Sequence, residues 1–394
     1  MEYPVKKSDY RSLEIKCAFL MACYYMSLYL VMMFSTYLVS FGFDEVYIST
    51  CSTVSAVVTL LLKPLWARLA DAGRCRLEAL VMVCLMEVGF VVFFTFRTEK
   101  ITAILYSVLV TVSSIILMDL IDSWVVKLSK ETGTIDYGKT RAFGSISFAV
   151  TGLLFGFATT RFGLSIAPYV MSVILLAIGI VSQTVPDPIL EERTKRSFKE
   201  SLSLLRDRKF LLFTIAYSLA NTAFNFTDAY IPVLILNRGG NTTHIGVNDF
   251  VMSFIEFLML KQFTRIADRF GTDKVLTLGM FGFFIKAGLA ALAPTPALTV
   301  AACLSQCVSF CMFVPGRMRF LQEEIDKDNV STAMSIVGIA GSLANIGISN
   351  TLSQKLIPSV GLPGTMMTFA FIALGASFIY YLGNGRKKDK QNDS

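Results

Sequence analysis

The sequence predicts an all-α membrane protein with twelve transmembrane helices, arranged as two six-helix bundles related by pseudo-symmetry. The first observation is composition, since 54% of the 394 residues are hydrophobic and only 16% are charged. The second is that apolar stretches of roughly 20 residues, the length that crosses a bilayer, recur from end to end. The third is an acidic loop that occurs twice, half a chain length apart, each time between two apolar stretches. Repetition at this distance indicates two similar membrane halves.

The apolar stretches are expected to be helices, because a backbone inside lipid must satisfy its own hydrogen bonds. A membrane β-barrel would instead alternate apolar and polar residues in segments of about ten, and that alternation is missing here. We divide the chain into an N-terminal bundle of 1–184, a cytoplasmic linker of 185–208, a C-terminal bundle of 209–384 and a disordered tail of 385–394. The linker is mixed in charge, and part of it is expected to lie as a helix on the membrane surface.

The formal net charge is +7, and the basic residues are distributed over the loops as the positive-inside rule describes. The excess of positive charge therefore indicates membrane orientation, and no nucleic-acid partner is expected. Loops that alternate to one side are basic: they hold Arg74, Arg76, Lys127, Lys130, Lys139, Arg193 through Lys209, Arg265, Arg269, Lys274, Arg317, Arg319 and Lys327. Both termini carry basic clusters too, and the opposite loops hold only Arg97, Lys100, Arg161, Arg238 and Lys355. We therefore expect both termini in the cytoplasm and a bacterial plasma membrane.

The two acidic loops follow the second apolar stretch of each half. They contain Asp71, Gly73 and Arg74 in the first copy, and Asp268, Arg269 and Gly271 in the second. An Asp at a helix end can accept hydrogen bonds from a neighbouring helix N-terminus and pair with Arg, which forms a latch that holds one conformation. The alternative is a solvated turn that ends the helix. Two copies in equivalent places favour the latch.

These loops resemble the cytoplasmic loop signature of the major facilitator superfamily. The first copy lacks the Gly that usually stands several residues before the Asp, where this chain has Trp66-Ala67. The resemblance implies two bundles that rock about a central site to move a solute.

Two ionisable residues on consecutive predicted helices form the first candidate site. Asp122 belongs to the fourth span and Arg141 to the start of the fifth, so they can face each other across a cytoplasmic turn. An ionisable residue inside a membrane span is a functional candidate by default. A carboxylate and a guanidinium together suit the hydroxyls of a sugar, a ribose or a carboxylate. The alternative is a salt bridge that only braces the two helices.

The stretch YGKTRAFGSISF at 137–148 resembles the span 4–5 signature of the oligosaccharide:proton symporter group, which includes lactose permease and its nucleoside and phenylpropionate relatives. By this resemblance Asp122 and Arg141 hold the solute and Phe148 is a stacking platform. Phe148 stands where lactose permease has Trp, which argues against a galactoside.

The resemblance extends to three ionisable residues of the second half, which are Asp228 in span 7, Glu256 in span 8 and Lys286 in span 9. It implies proton coupling through them, because a buried carboxylate can load protons and Lys286 can take over as its counter-ion. The family's His and Glu on span 10 are replaced by Phe310 and Phe313. A plain Asp228–Lys286 structural pair is the alternative.

We therefore expect a secondary active transporter that moves a sugar or oligosaccharide by alternating access with proton symport. A nucleoside or aromatic-acid symporter is the first alternative, and a membrane sensor that transports nothing is the second. No enzyme is expected, since no nucleophile–base pair is visible. The eight cysteines lack any CxxC, so no metal site is expected. The expected partners are the solute, protons and the lipid bilayer, without a cofactor, and the expected state is a monomer.

Overall fold

The computed structural model describes residues 7–70, 74–133, 135–188, 203–326 and 329–392. These residues are almost entirely helical, and no strand occurs among them. The predicted all-α fold class is therefore confirmed. The helices group into two compact units. The N-terminal unit comprises Met1–Arg193 with Ile245–Ser253, and the C-terminal unit comprises Thr194–His244 with Phe254–Ser394.

The first six spans are built from eight helices. These are α1 (Lys7–Met32), α2 (Phe34–Ser40), α3 (Glu45–Ala70), α4 (Cys75–Thr95), α5 (Lys100–Tyr106), α6 (Ser113–Thr132), α7 (Tyr137–Phe162) and α8 (Ala167–Thr184). A π-helical segment, Ser107–Val112, joins α5 to α6 inside the fourth span.

The last six spans are built from seven helices. These are α9 (Arg208–Asn237), α10 (Thr242–Phe270), α11 (Thr272–Leu292), α12 (Pro296–Ala302), α13 (Phe310–Glu324), α14 (Val330–Ala344) and α15 (Thr351–Asn392). A 3₁₀ segment, Cys303–Cys307, joins α12 to α13, and a π-helical segment, Asn345–Asn350, joins α14 to α15.

Twelve membrane crossings follow from these bounds. Ten helical stretches among the described residues are long and apolar enough to span a bilayer. One of them, Thr332–Gly383, contains two crossings because Gly361 adopts φ 72° and ψ 172° and breaks the helix. Helix α9 is the remaining crossing, and its asparagines together with Asp228 lower its hydropathy. Polar and ionisable residues inside a span usually face the interior of the bundle and are candidates for function.

Two parts of the predicted domain division differ from the observed grouping. The segment Ile245–Ser253 belongs to the N-terminal unit, where Gly246 lies so close to the carbonyl of Gly152 that a Cβ atom would collide with it. Helix α15 continues to Asn392, through most of the tail predicted to be disordered.

The beginning of the predicted linker is anchored on the N-terminal unit. Arg76 donates from its backbone N–H to Asp187 at 3.0 Å and from Nε to the carbonyl of Val185 at 2.7 Å. The indole of Trp124 donates to the carbonyl of Pro186 at 2.8 Å. Residues 189–202, which include the part predicted to be a surface helix, lie outside the described residues.

Candidate functional site

The first cluster lies in the N-terminal unit and is positioned by the start of α7. Asp136 caps this helix by accepting the backbone N–H of Lys139 at 3.1 Å, and that hydrogen bond lowers the pKa of the exposed Asp136 carboxyl. Capping fixes the first turn. Tyr137 and Arg141 are four residues apart on α7, so both side chains fall on one face of the helix.

Tyr137 links the two predicted solute ligands. Its hydroxyl donates to Oδ1 of Asp122 at 3.1 Å, and it also interacts with the guanidinium of Arg141. The Arg141 guanidinium lies in the electrostatic field of Asp122 without being its hydrogen-bond partner. The structure therefore brings Asp122 and Arg141 together, through a phenol rather than through the direct pair that the sequence predicts.

Arg141 rests on an aromatic face. Its Cζ lies 4.2 Å from the ring centroid of Tyr25 on α1, and Nη1 donates to the hydroxyl of Ser145 at 3.3 Å. A cation over an aromatic ring gains electrostatic stabilisation and stays oriented. Gly144 permits this arrangement, because a Cβ atom there would collide with the Tyr25 ring.

Phe148 lies two helical turns beyond Arg141 on α7. Its ring contacts Tyr29 of α1 edge-on, with centroids 5.3 Å apart. Tyr25 and Tyr29 are themselves one turn apart, so α1 presents two tyrosines to the α7 face that carries Arg141 and Phe148. The sequence analysis missed both tyrosines, although their four-residue spacing on a span was a usable signal.

The second cluster lies in the C-terminal unit and joins the three predicted coupling residues. Nζ of Lys286 contacts Oδ1 of Asp228 at 2.5 Å and Oε1 of Gln306 at 2.7 Å. Nε2 of Gln306 in turn donates to Oε1 of Glu256 at 2.7 Å. Lys286 is fully buried and Gln306 is 2% exposed. The four side chains thus form one hydrogen-bonded chain from α9 through α11 and the 3₁₀ segment to α10.

Gln306 is the functional candidate that sequence analysis missed. It carries no charge, and a neutral amide in an otherwise apolar part of span 10 is the sequence signal that could identify it. The residue sits in the 3₁₀ segment Cys303–Cys307, and the chain leaves helical geometry at Ser309 with ψ −91°. Gly282 of α11 lies against this break, since a Cβ atom there would come within 2.6 Å of the Ser309 nitrogen.

The second acidic loop makes an ion pair at the end of α10. Oδ1 of Asp268 lies 2.7 Å from Arg319 on α13, and Arg319 also pairs with Glu323 at 2.6 Å. Gly271 ends α10 with φ 86°, a conformation that favours glycine. Arg269 lies with its guanidinium over the adjacent Phe270 ring, 5.5 Å from the centroid.

The first acidic loop is described only in part. Asp71 and Gly73 lie outside the described residues, and Arg74 is an exposed residue that immediately precedes α4. The C-terminal unit carries a further network of ion pairs around Lys209. Lys209 pairs with Glu324 at 2.5 Å and with Asp273 at 3.5 Å. Burial opposes the charge on Lys209, but its hydrogen bond to Glu324 and the charge of Asp273 raise its pKa.

The described part of the chain was considered for metal-ligand groups and for the state of its cysteines. No group of three or more His, Cys, Asp or Glu residues there could hold a metal ion. The eight cysteines are free thiols, and six of them are buried. Free buried cysteine behaves as a small hydrophobic residue.

Known proteins that resemble this chain are membrane transporters, which agrees with its helical architecture. A family model described as the MFS_1 like family matches residues 23–347. A maltose permease from Geobacillus stearothermophilus is 26% identical over 226 residues, which cover 56% of this chain and 56% of that protein. The chain thus spans little more than half of the length of that permease. An uncharacterized transporter, YwbF of Bacillus subtilis (strain 168), is 21% identical over 74% of this chain and 72% of that protein.

Solved structures share the fold at low sequence identity. The nucleoside transporter NupG superposes with a TM-score of 0.78 and 14% identity, over 94% of this chain and 98% of that chain. A POT family transporter in complex with a thioalcohol-conjugated peptide gives a TM-score of 0.74 and 12% identity, over 95% and 96% of the two chains. At these identities the likeness concerns the fold alone.

The family match covers well over half of the chain, and the helical architecture agrees with it. The comparisons therefore point to a family of multi-pass membrane transporters rather than to an enzyme family. By its sequence match and its fold, the chain belongs to the major facilitator superfamily, within the MFS_1 like family.

Proposed function

We propose that this protein moves a sugar or oligosaccharide across the plasma membrane by alternating access, together with protons. The observation that carries the proposal is the cluster of Asp122 on α6 with Tyr137 and Arg141 at the start of α7, where Arg141 is held on the ring of Tyr25. It combines a carboxylate acceptor, a phenol and a guanidinium with aromatic faces. Sugars are bound by this combination, because their hydroxyls need paired donors and acceptors while their C–H faces stack on rings.

Arg141 is the residue that would fix the solute. A guanidinium has five N–H donors in a planar fork, and contact with the Tyr25 ring and the hydroxyl of Ser145 leaves donors for a ligand. Phe148 lies on the same helix face, and its ring contacts Tyr29 in a T-shaped arrangement, which is compatible with the proposed role of a stacking platform. The maltose permease relative supports a sugar as the solute class.

Protons are proposed to couple through the cluster of the C-terminal unit. Two half-buried carboxylates, Asp228 and Glu256, are linked to the buried ammonium of Lys286, Asp228 directly and Glu256 through Gln306. Protonation of one carboxylate changes the charge balance there and can shift the equilibrium between conformations. Asp268 and Arg319 are proposed to act as a conformational latch, since their ion pair ties the end of α10 to α13. The first-half loop of Asp71, Gly73 and Arg74 is proposed to act in the same way.

The orientation is proposed from the basic loops, with both termini in the cytoplasm. Both proposed sites are formed by side chains of one chain, which supports a monomer as the working unit. Labelling of single introduced cysteines by an impermeant thiol reagent tests the orientation. Labelling of the 185–208 segment from outside intact cells would reverse it.

A nucleoside is the second candidate solute. Glu256 lies one hydrogen bond from Gln306, and an acid and an amide suit the donors and acceptors of a base. A thermal-shift screen of the purified protein against sugars, nucleosides and aromatic acids separates the classes, because a ligand raises the melting temperature by mass action. Stabilisation by nucleosides alone would replace the sugar as the proposed solute.

A sensor that keeps the fold without transport is tested by counterflow. Proteoliposomes loaded with unlabelled maltose should take up labelled maltose from outside if the protein is a permease for such sugars. Maltose that raises the melting temperature without any counterflow would identify a sensor. Counterflow in wild-type vesicles, abolished in an Arg141→Lys variant, would support the proposed solute site.

A further inference from the structure

A guanidinium and a phenol of the C-terminal unit carry hydrogens for which the described residues offer no acceptor. We propose that Arg317 of α13 and Tyr217 of α9 form a binding site for an oxyanion, which is a carboxylate or phosphate group from solution or from a lipid headgroup. The two side chains touch each other and belong neither to the Arg141 cluster nor to the Lys286 cluster. The inference therefore goes beyond the proposed transport of a sugar with protons.

Arg317 has one hydrogen-bond partner in the described part of the chain. Its Nη1 donates to the hydroxyl oxygen of Tyr217 at 2.9 Å, and its Cζ lies 5.3 Å from the centroid of the Tyr217 ring. Nε is withdrawn from solvent and has no hydrogen-bond partner there. A guanidinium has five N–H donors, and the edge formed by Nε and Nη2 suits the two oxygens of a carboxylate or phosphate. This edge is the part of Arg317 that a ligand would occupy.

Tyr217 places a second donor beside the guanidinium. Its oxygen accepts from Arg317, so its own hydrogen must point elsewhere, and the described residues supply no acceptor for it. The ring is held firmly, since it stacks on Phe313 with centroids 4.4 Å apart and is only 4% exposed. An oxyanion next to both groups would accept from the phenol and from the guanidinium.

The charge of Arg317 has no carboxylate opposite it among the residues that the structure describes. Arg319 on the same helix pairs with two acids, and Lys209 at the start of α9 pairs with two others. Arg317 is half-buried, and a charge that is withdrawn from water is normally paired. The negative charge that is missing here indicates that the ligand is an anion.

The site lies about two helical turns inside the unit. The sequence analysis counts Arg317 among the loop residues, whereas the structure places it within α13. The pair of Lys209 and Glu324 marks where α9 begins and α13 ends. Tyr217 follows Lys209, and Arg317 precedes Glu324, by about 10–12 Å of helix. At this depth water screens charges less than at an exposed loop, so a guanidinium attracts an anion more strongly.

The N-terminal unit holds a similar pair in a different electrostatic setting. Arg141 rests on the ring of Tyr25 and lies in the field of Asp122. Arg317 lies beside Tyr217 and has no acid in that role. Both tyrosines belong to the first span of their unit, which is α1 or α9. The N-terminal pair thus suits a neutral solute, whereas the C-terminal pair suits a group with negative charge.

The test is a thermal-shift titration of the purified full-length protein with inorganic phosphate, against potassium chloride of equal ionic strength. Phosphate should raise the melting temperature of the wild-type protein and saturate, because a ligand of the folded state stabilises it. Arg317→Gln should weaken phosphate binding about tenfold or more. Arg265→Gln changes an exposed arginine of α10 and should keep the wild-type affinity.

A second arm identifies the source of the oxyanion. The same variants are titrated with phosphatidylglycerol in detergent micelles, and the net-neutral phosphatidylcholine is the matched lipid. A shift with phosphate that Arg317→Gln loses would support a free oxyanion as the ligand. A shift with phosphatidylglycerol alone, again lost in Arg317→Gln, would support a lipid headgroup. If neither probe gives a shift that depends on Arg317, the site does not exist.

Stability without ligand separates binding from a structural role. In chloride, Arg317→Gln should melt no lower than wild type, because it removes a charge that has no counter-ion, whereas in phosphate it should melt lower. An equal drop in both media would mean that Arg317 only supports the fold. Tyr217→Phe keeps the ring and should weaken phosphate binding severalfold, and unchanged binding there would remove the phenol from the site. Phosphate binding that is lost in Arg141→Lys and kept in Arg317→Gln would also overturn the proposal.

Discussion

The two units hold their polar clusters under different conditions. In the N-terminal unit, Asp122 and Arg141 are half-buried and rest against tyrosines. In the C-terminal unit, Lys286 and Gln306 are almost wholly withdrawn from solvent. A solute site has to be reached by a large polar molecule, whereas a proton site functions best where few water molecules screen the charges. The difference in burial is consistent with the proposed division, in which the N-terminal unit binds the solute and the C-terminal unit couples protons.

The largest expected effect separates binding from coupling. Arg141→Lys should weaken solute binding by about 100-fold, since a charge-assisted hydrogen-bond pair contributes about 3 kcal/mol. Exchange and uphill uptake should both disappear. Thermal shift with the best solute of the screen measures the affinity, and Arg161→Lys on the same helix is the matched control. Equal affinity in wild type and Arg141→Lys would remove Arg141 from the solute site.

The next effect sharpens the description of the C-terminal cluster. Lys286→Met leaves the half-buried Asp228 without the fully buried ammonium that it contacts, and breaking a buried pair destabilises by about 3–5 kcal/mol. We expect a clear drop in melting temperature together with loss of uphill uptake. Lys286→Met combined with Asp228→Asn should recover much of the stability but not the uptake. Recovery of both would show that the pair is only structural.

A third prediction concerns the helix break that places Gln306. Gly282→Ala should cost about 1–3 kcal/mol, because the new methyl collides with the backbone at Ser309 and the break must shift. Gly288→Ala on the same helix is the control, since nothing lies within 4 Å of its added Cβ. The control should be neutral or more stable by about 0.5–1 kcal/mol. Similar melting temperatures for the two variants would contradict the close packing.

A smaller effect is expected at the latch. Asp268→Ala should slow turnover about two- to fivefold with little change in affinity, because a partly exposed ion pair contributes about 1 kcal/mol or less. Exchange rates in proteoliposomes measure turnover. Asp326→Ala in the next loop on that face is the control. If both variants turn over at the wild-type rate, the acidic loop is a plain helix-ending turn.

The smallest effect is a pH dependence at the cap of α7. The pKa of Asp136 is lowered by the backbone N–H of Lys139, so its contribution to stability is present above the unfolded pKa. The contribution is lost as pH falls through the folded value. Asp136→Ala should therefore lower the melting temperature slightly near neutral pH and not at strongly acidic pH. A difference that stays constant with pH would mean that the cap is not ionic.

Much of this organisation was predictable because membrane physics constrains the sequence tightly. Apolar length accounts for most of the crossings, whereas α9 is less apolar than the others because of its asparagines and Asp228. The closeness of Asp122 to Arg141 and of Asp228 to Lys286 was also predictable, since an isolated charge in a span needs a partner. What joins them was not predictable in the same way. Tyr137 stands between the first pair, and Gln306 extends the second to Glu256.

The missed features depend on local backbone geometry. Gln306 contacts Lys286 from a 3₁₀ segment, and neither charge pattern nor helical periodicity predicts such a segment from the sequence. The glycines opposite it, Gly279 and Gly282, were a weak signal because glycine also occurs at ordinary helix contacts in lipid. Tyr25 was missed for a similar reason. Aromatic residues are common in spans, and nothing in the sequence marks this ring as the one that packs against Gly144 and Arg141 of α7.

The central claim is that binding and coupling reside in separate clusters, and a paired transport assay tests it most directly. Glu256→Gln and wild-type proteoliposomes are compared for maltose counterflow and for accumulation driven by a pH gradient. We predict that Glu256→Gln retains counterflow within about twofold and loses accumulation, since exchange needs no net proton movement. Full accumulation in this variant, or equal loss of both activities, would contradict the division between the two units.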